Sequence, residues 1–172
     1  MSALRLVNET EITSSVSFID VKDIFSADFD IYCIEYFTFA SAGNALRGNL
    51  LNTSGSLLND IYYDNALQNQ IDSGSSTESK TVGDTRWERV SIHAPDGQNS
   101  TMWVFNPYSS DTYTFVLSKG ITYYNAAGIG AYAQKQIGVY KETTSIGGIR
   151  LTPAAGTLDS GIIRTYGLRV DS

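Results

Sequence analysis

The segment FDIYCIEYFTF, residues 29–39, decides the fold of this chain. It is dense in aromatic and β-branched residues and has neither Gly nor Pro, which is typical of a β-strand. Successive side chains of a strand point to opposite faces. Both faces are largely apolar: one carries Phe29, Ile31, Cys33, Phe37 and Phe39, and the other Tyr32, Ile34 and Tyr36. Other residues are therefore expected to pack against each face. For the second face, the candidates are residues 57–67 of this chain and a neighbouring subunit.

Turn signals divide the rest of the chain into further strands. Pro95-Asp96-Gly97 predicts a hairpin, because Pro presets the first turn residue and Gly accepts the left-handed conformation. The pattern weakens over residues 52–85, which we interpret as a long excursion between two sheets. Strands are predicted at 86–94, 99–105, 112–118, 121–125, 129–141, 148–152 and 162–170. Long crossings suit Greek-key folds, so we predict an all-β fold, an antiparallel β-sandwich of jelly-roll type, with residues 1–172 as a single domain.

The last predicted strand contains an irregularity. Ile162, Tyr166 and Leu168 share one face, but Arg164 falls among them while Ile163 points away. We expect a β-bulge near Ile163 that shifts the register by one residue. If Arg164 faces inward, it requires a carboxylate partner.

Composition excludes several classes of function. The formal net charge of −6 argues against nucleic acid as a partner, because phosphate binding requires a basic surface. Cys33 is the only cysteine, so an intrachain disulfide is impossible, and it is expected to be a small buried hydrophobe. No apolar run reaches the roughly 18 to 20 residues that cross a bilayer, and no secretory leader is recognisable, so neither a membrane location nor glycosylation is expected.

Reactive groups are sparse in the sequence. His93 is the only histidine and has no nucleophile in a recognisable setting, so no catalytic residues and no zinc site are predicted. Asp96-Gly97 and Asp159-Ser160-Gly161 are candidate calcium sites, but turn formation already explains why these residues are present. Carboxylate pairs for glycoside hydrolysis would have to come from Asp28, Asp30, Glu35, Asp60 and Asp64, which we interpret as turn and surface residues. We predict a protein without enzymatic activity, cofactor or metal.

Two parts of the chain carry recognisable motifs. The C-terminal part has Gly148-Ile149-Arg150-Leu151, a Ser/Gly turn and a final Tyr166-Gly167-Leu168 strand, and residues 14–18 and 24–32 form a short strand followed by an aromatic strand. In these motifs the chain resembles small jelly-roll-like virion proteins of tailed bacteriophages, many of them from aquatic phages. The resemblance implies a non-enzymatic structural component of the virion, assembled in the host cytoplasm.

Within that class, the first expectation is a capsid decoration or cement protein that binds the major capsid protein as a homotrimer. The alternative is a tail fibre or receptor-binding head domain that contacts host surface glycans through exposed Tyr and Trp. Residues 1–12 are expected to form an N-terminal arm on a neighbour or an edge strand. Aromatic side chains exceed what one small core must hold. Together with the apolar residues of the N-terminal segment, the candidate interface residues are Leu4, Leu6, Val7, Tyr32, Tyr36, Tyr62, Tyr63 and Trp103.

Overall fold

A computed structural model describes residues 3–71, 73–93, 95–124 and 130–169, and shows a β-sandwich. The described residues form twelve strands: β1 Ala3–Ile12, β2 Ile19–Val21, β3 Ile31–Ala40, β4 Asn44–Asn52, β5 Tyr62–Gln70, β6 Ser75–Asp84, β7 Trp87–His93, β8 Gln98–Phe105, β9 Thr114–Tyr124, β10 Gly130–Tyr140, β11 Ile146–Pro153 and β12 Leu158–Arg169. Ala94, Asn125, Ile129 and Val170, at which predicted strands begin or end, lie outside the described residues.

The strands form two sheets. The larger has eight strands in the order β1-β12-β3-β8-β9-β10-β5-β6, and the smaller has four in the order β2-β11-β4-β7. Every named pair is antiparallel. The predicted all-β sandwich is therefore confirmed. Its jelly-roll type is not, because sheets of eight and four strands differ from the eight strands in two Greek keys of a jelly roll.

The core lies between the two sheets and is rich in aromatic residues. The ring of Tyr62 meets Trp87 edge to face at 5.1 Å and lies 4.8 Å from the ring of Tyr140. The hydroxyl of Tyr62 donates to the carbonyl of Leu58 and accepts from the amide of Leu50, both at 2.9 Å. Burial raises the pKa of Tyr62. Because each polar atom of this large side chain has a partner, it stabilises the core without an unmet desolvation cost.

Two sequence interpretations of the chain path are wrong. The turn at Pro95-Asp96-Gly97 does not make a hairpin: β7 belongs to the smaller sheet and β8 to the larger, so the turn carries the chain between sheets. Residues 52–85 are not merely a long excursion between two sheets, since they contain the paired strands β5 and β6 of the larger sheet. Strand β6 has mostly exposed polar residues, and such a strand has no apolar alternation from which it could be predicted.

The cover proposed for residues 29–39 also differs from the structure. The face with Tyr32, Ile34 and Tyr36 is the one that packs against the smaller sheet. Residues 62–67 belong to β5 in the same sheet as β3, so they cannot cover its second face. Among the described residues, that second face has no segment of this chain lying over it, and Phe37 is 42% exposed.

The predicted bulge and the orientation of the last strand need correction. Ile163 and Thr165 point into the core, whereas Ile162, Arg164, Tyr166 and Leu168 point outward. The register of β12 against β3 is regular around Ile163 and shifts instead between Leu158 and Ser160. Arg164 has the carboxylate partner that was expected, but outside the core: its Nε donates to Oε2 of Glu9 on β1 at 2.7 Å.

Candidate interaction surface

The interior beneath one half of the larger sheet is polar. Ser91 of β7 lies 2.6 Å from Ser100 of β8 through their hydroxyl oxygens, and its hydroxyl also donates to Oε1 of Gln98 at 2.9 Å. The hydroxyl of Ser118 on β9 donates to the carbonyl of Val90 at 2.6 Å, and the amide of Gln134 on β10 donates to the carbonyl of Arg89, also at 2.6 Å. In this half of the molecule, the two sheets are held together by hydrogen bonds that cross between them.

The outer face of the same sheet has the opposite character. Directly opposed residues of antiparallel strands point to the same side, so the strand registers define rows that cross the sheet. The first row reads Leu4, Leu168, Ile31, Phe105, Phe115, Val139, Tyr63 and Val82 from β1 to β6. The second reads Leu6, Tyr166, Cys33, Trp103, Leu117, Ile137, Asn65 and Lys80. Together the first row and the first six residues of the second form what we call the apolar band.

Much of the apolar band is accessible to water. Val82 is 62% exposed, Ile137 is 57% exposed and Leu6 is 52% exposed. A shallow depression of about 420 Å³ lies over β9, β10, β5 and β6, and Phe115, Ile137 and Val82 are among the residues that line it. Contiguous exposed apolar patches of more than a few hundred Å² are rare on monomers and indicate a binding surface.

The outer face of the smaller sheet provides an internal comparison. There Arg150 donates to both carboxylate oxygens of Asp20 at 2.6 and 2.8 Å, and its guanidinium lies 3.8 Å from the ring centre of Phe18. Arg47 donates to Glu88 at 2.8 Å. One outer face of the sandwich thus carries paired charges, which suit contact with water, while the other carries uncovered hydrocarbon.

A third row borders the apolar band and is charged. It reads Glu9, Arg164, Glu35, Thr101, Lys119, Lys135, Leu67 and Glu78 from β1 to β6. Within the described part of the chain, Glu35, Lys119 and Lys135 form no ion pair, whereas Arg164 pairs with Glu9. Acidic Glu35 lies in the half of the row that begins at β1, and the two lysines lie in the other half.

The predicted interface residues divide into two groups. Tyr32, Tyr36 and Tyr62 are buried in the core, so the prediction that they belong to an interface is wrong. Their rings fill the space between the sheets, and no partner can reach them in the folded chain. Leu4, Leu6, Tyr63 and Trp103 do lie on the outer face and belong to the apolar band, while Val7 is exposed at the register shift between Leu6 and Asn8.

The predicted N-terminal arm takes the form of an edge strand. Residues 3–12 form β1, which pairs with β12 along its length and brings Leu4 and Leu6 to the end of the apolar rows. Residues that the sequence did not single out complete the band, notably Phe115, Leu117 and Ile137. Their alternation along β9 and β10 was visible in the sequence, but alternation alone does not say which side is the core.

Cys33 sits in the second row between Tyr166 and Trp103 and is buried, as the sequence indicated. Burial, together with the nearby charge of Glu35, raises the pKa of the Cys33 thiol to about 11. A thiol with so high a pKa carries very little thiolate at neutral pH, so Cys33 behaves as a small apolar side chain.

The carboxylates considered for glycoside hydrolysis lie in different settings. Glu35 is exposed on the outer face of the larger sheet, whereas Asp64 of β5 is buried on the inner face and accepts from the amide of Glu88 at 3.1 Å. Asp28 and Asp30 are exposed before β3, and Asp60 is exposed before β5. Among the described residues, no group of three or more His, Cys, Asp or Glu side chains is arranged to hold a metal ion.

No helix of the length and apolarity needed to span a bilayer occurs in the described residues. The chain matches no protein-family model, no curated protein and no solved structure.

Proposed function

We propose that this chain is a non-enzymatic structural protein of a phage virion, a capsid decoration protein that works by holding protein subunits together. The observation that carries the proposal is the apolar band, because the outer face of the larger sheet exposes hydrocarbon where a freely dissolved sandwich would expose polar groups. The phage setting comes from the sequence resemblance described above.

The energetics of the band suit this role. Apolar surface contributes about 25 cal/mol for each Å² removed from water, so a contact of a few hundred Å² is worth several kcal/mol before the cost of association. A protein that binds an assembled shell, and not its separate subunits, stabilises that shell by the free energy of binding. Neither step requires a reactive group.

Quantitative mass spectrometry of purified particles tests the location. The virion studied is that of the phage whose genome encodes this chain. Hundreds of copies per particle are expected for a decoration protein. A dozen or a few dozen copies would instead support the alternative, a tail fibre or receptor-binding head domain that contacts host glycans. Absence of the protein from purified particles would overturn the virion proposal altogether.

A reconstitution experiment tests the stabilising role. Particles that lack the protein are prepared from a phage with the gene deleted, and purified protein is added back. The decorated particles should withstand a higher temperature before they release DNA, with bovine serum albumin at the same concentration as the control. If the wild-type protein neither binds these particles nor raises the release temperature, the decoration role is wrong.

A further inference from the structure

We infer that the outer face of the eight-stranded sheet packs against the same face of a second copy of this chain, related by a two-fold axis that runs along the strands between β8 and β9. The inference rests on the proposed role of this face in protein contact and assigns that contact to a second copy, so a shell would bind the dimer through its remaining surface. It does not depend on where the protein resides. The resemblance implies three copies, whereas the face itself is self-complementary, as a two-fold interface requires.

The proposed axis divides the larger sheet into equal halves. Four strands, β1, β12, β3 and β8, lie on one side, and β9, β10, β5 and β6 lie on the other. A half-turn about this axis places β8 opposite β9 of the second copy and β3 opposite β10. Each transverse row then faces its own counterpart, read in the reverse direction.

The apolar rows match under this operation. In the first row Phe105 faces Phe115 of the second copy, and Ile31 faces Val139. At the two ends of the same row, Leu168 faces Tyr63 and Leu4 faces Val82. In the second row the central contact joins Trp103 to Leu117, a large ring against a branched aliphatic side chain. The first row thus contains only apolar pairs, because both of its halves are apolar.

The charged row supports this axis over one that runs across the strands at the same row. The half-turn brings Glu35 of β3 opposite Lys135 of β10 in the second copy, and does so twice in the dimer. It also brings Glu9 opposite Glu78, but at the outer edges of the sheet, where solvent screens like charges. A two-fold axis running across the strands and centred on this row would place Glu35 opposite Glu35 and Lys135 opposite Lys135. Like charges brought together at an interface are unfavourable, so the axis along the strands is preferred.

The area of the face is sufficient for a stable dimer. Eight strands spaced about 4.8 Å apart span about 34 Å, and three rows spaced about 7 Å apart along the strands cover about 20 Å. The product is about 700 Å² per copy, close to the roughly 800 Å² per partner of a standard interface.

Sedimentation equilibrium of the purified full chain tests the inference. The expected mass at micromolar concentration is twice the 18.8 kDa of one chain. Single variants Glu35→Lys and Lys135→Glu place like charges opposite each other at two positions, so each should weaken dimerisation at least tenfold. The double variant restores both pairs in the dimer and should recover most of the affinity, although the two residues are three strands apart within one chain.

The controls carry the same charge changes at residues outside the three rows. Glu142→Lys alters an exposed residue after β10, and Lys22→Glu alters one after β2. Both should leave the dimer unchanged. A third variant, Ile137→Asp, changes an exposed side chain of the second row and should give a folded monomer by circular dichroism. A wild-type mass of one or three chains, or a double variant that associates no better than the singles, would overturn the two-fold pairing. Because these measurements need no virus particle, they leave the virion proposal to its own tests.

Discussion

Ile137 and Leu117 stand directly opposite each other on β10 and β9, and both point out of the sandwich. The residues that flank them on the inner side of the same strands are Gln136 and Ser118, whose side chains hydrogen-bond to each other at 3.1 Å. In this part of the sheet, the polar side is therefore inside and the apolar side is outside. That inversion yields the first prediction.

Replacing Ile137 by Ala should barely affect the folding of the single chain. Its side chain is 57% exposed, so little buried hydrocarbon is lost, and exposed substitutions usually change the free energy of unfolding by no more than about 0.5 kcal/mol. The matched control is Ile149→Ala on β11, a fully buried isoleucine, which should cost about 2–5 kcal/mol. Urea unfolding at concentrations that favour the monomer measures both. Equal losses for the two variants would show that Ile137 is a core residue.

The same inversion explains how far the sequence could predict the structure. Strand-rich composition and turn signals were sufficient for the sandwich and for most strand positions. The side of a strand that faces the core could not be predicted from the strand alone. Strand β12 has apolar residues on both of its sides, and β9 directs Phe115 outward and Thr114 inward. The core-facing side is decided by the smaller sheet, which packs on that side and forms hydrogen bonds with it across the sandwich. Pairing partners such as Arg164 and Glu9, 155 positions apart, depend on topology and leave no local signal.

The surface was partly predictable for a similar reason. Leu4 and Leu6 were identified as candidates because residues 1–12 were expected to form an arm on a neighbour or an edge strand. Tyr32, Tyr36 and Tyr62 were equally aromatic candidates, yet each directs its ring between the sheets. Composition indicates how many large side chains are present, whereas their burial depends on which side of each strand packs against the smaller sheet.

The pH dependence of stability should contain a contribution from Asp64. Burial raises the pKa of this carboxyl above its usual value, although its hydrogen bonds oppose the shift. In the interval between the ordinary pKa and the raised one, the folded chain binds more protons than the unfolded chain. Stability therefore falls as pH rises through that interval, and the contribution of the protonated form is fully present only below the ordinary pKa.

Asp64→Asn tests this assignment. The variant should lack the part of the decline in stability that begins near pH 4, and at pH 7 it should unfold at a urea concentration no lower than that of the wild type. The same substitution at exposed Asp60 controls for the loss of one negative charge. A steeper decline in Asp64→Asn than in the wild type would mean that the charged form of Asp64 stabilises the fold.

Cys33 should react slowly with thiol reagents. With a pKa of about 11 in place of 9.0, its thiolate fraction at pH 8 is about a hundredfold lower than that of a free cysteine, and burial adds a steric barrier. Ellman's reagent should therefore modify the folded chain at least a hundredfold more slowly than the chain in 8 M urea. Comparable rates in the two conditions would show that the second row of the outer face opens readily to solvent.

Gly120 of β9 should not tolerate a side chain. A Cβ at this position would lie 2.5 Å from the hydroxyl oxygen of Ser91 and closer still to that of Ser100, which form the hydrogen-bonded pair between the sheets. Gly120→Ala should therefore destabilise the chain by about 1–3 kcal/mol, as overpacked cores generally do. Ser100→Ala removes the nearer oxygen and costs about 1 kcal/mol for the lost hydrogen bond. The double variant should consequently lose less stability than the two single variants added together. Strictly additive losses in urea unfolding would show that Gly120 of β9 and Ser100 of β8 do not approach each other this closely.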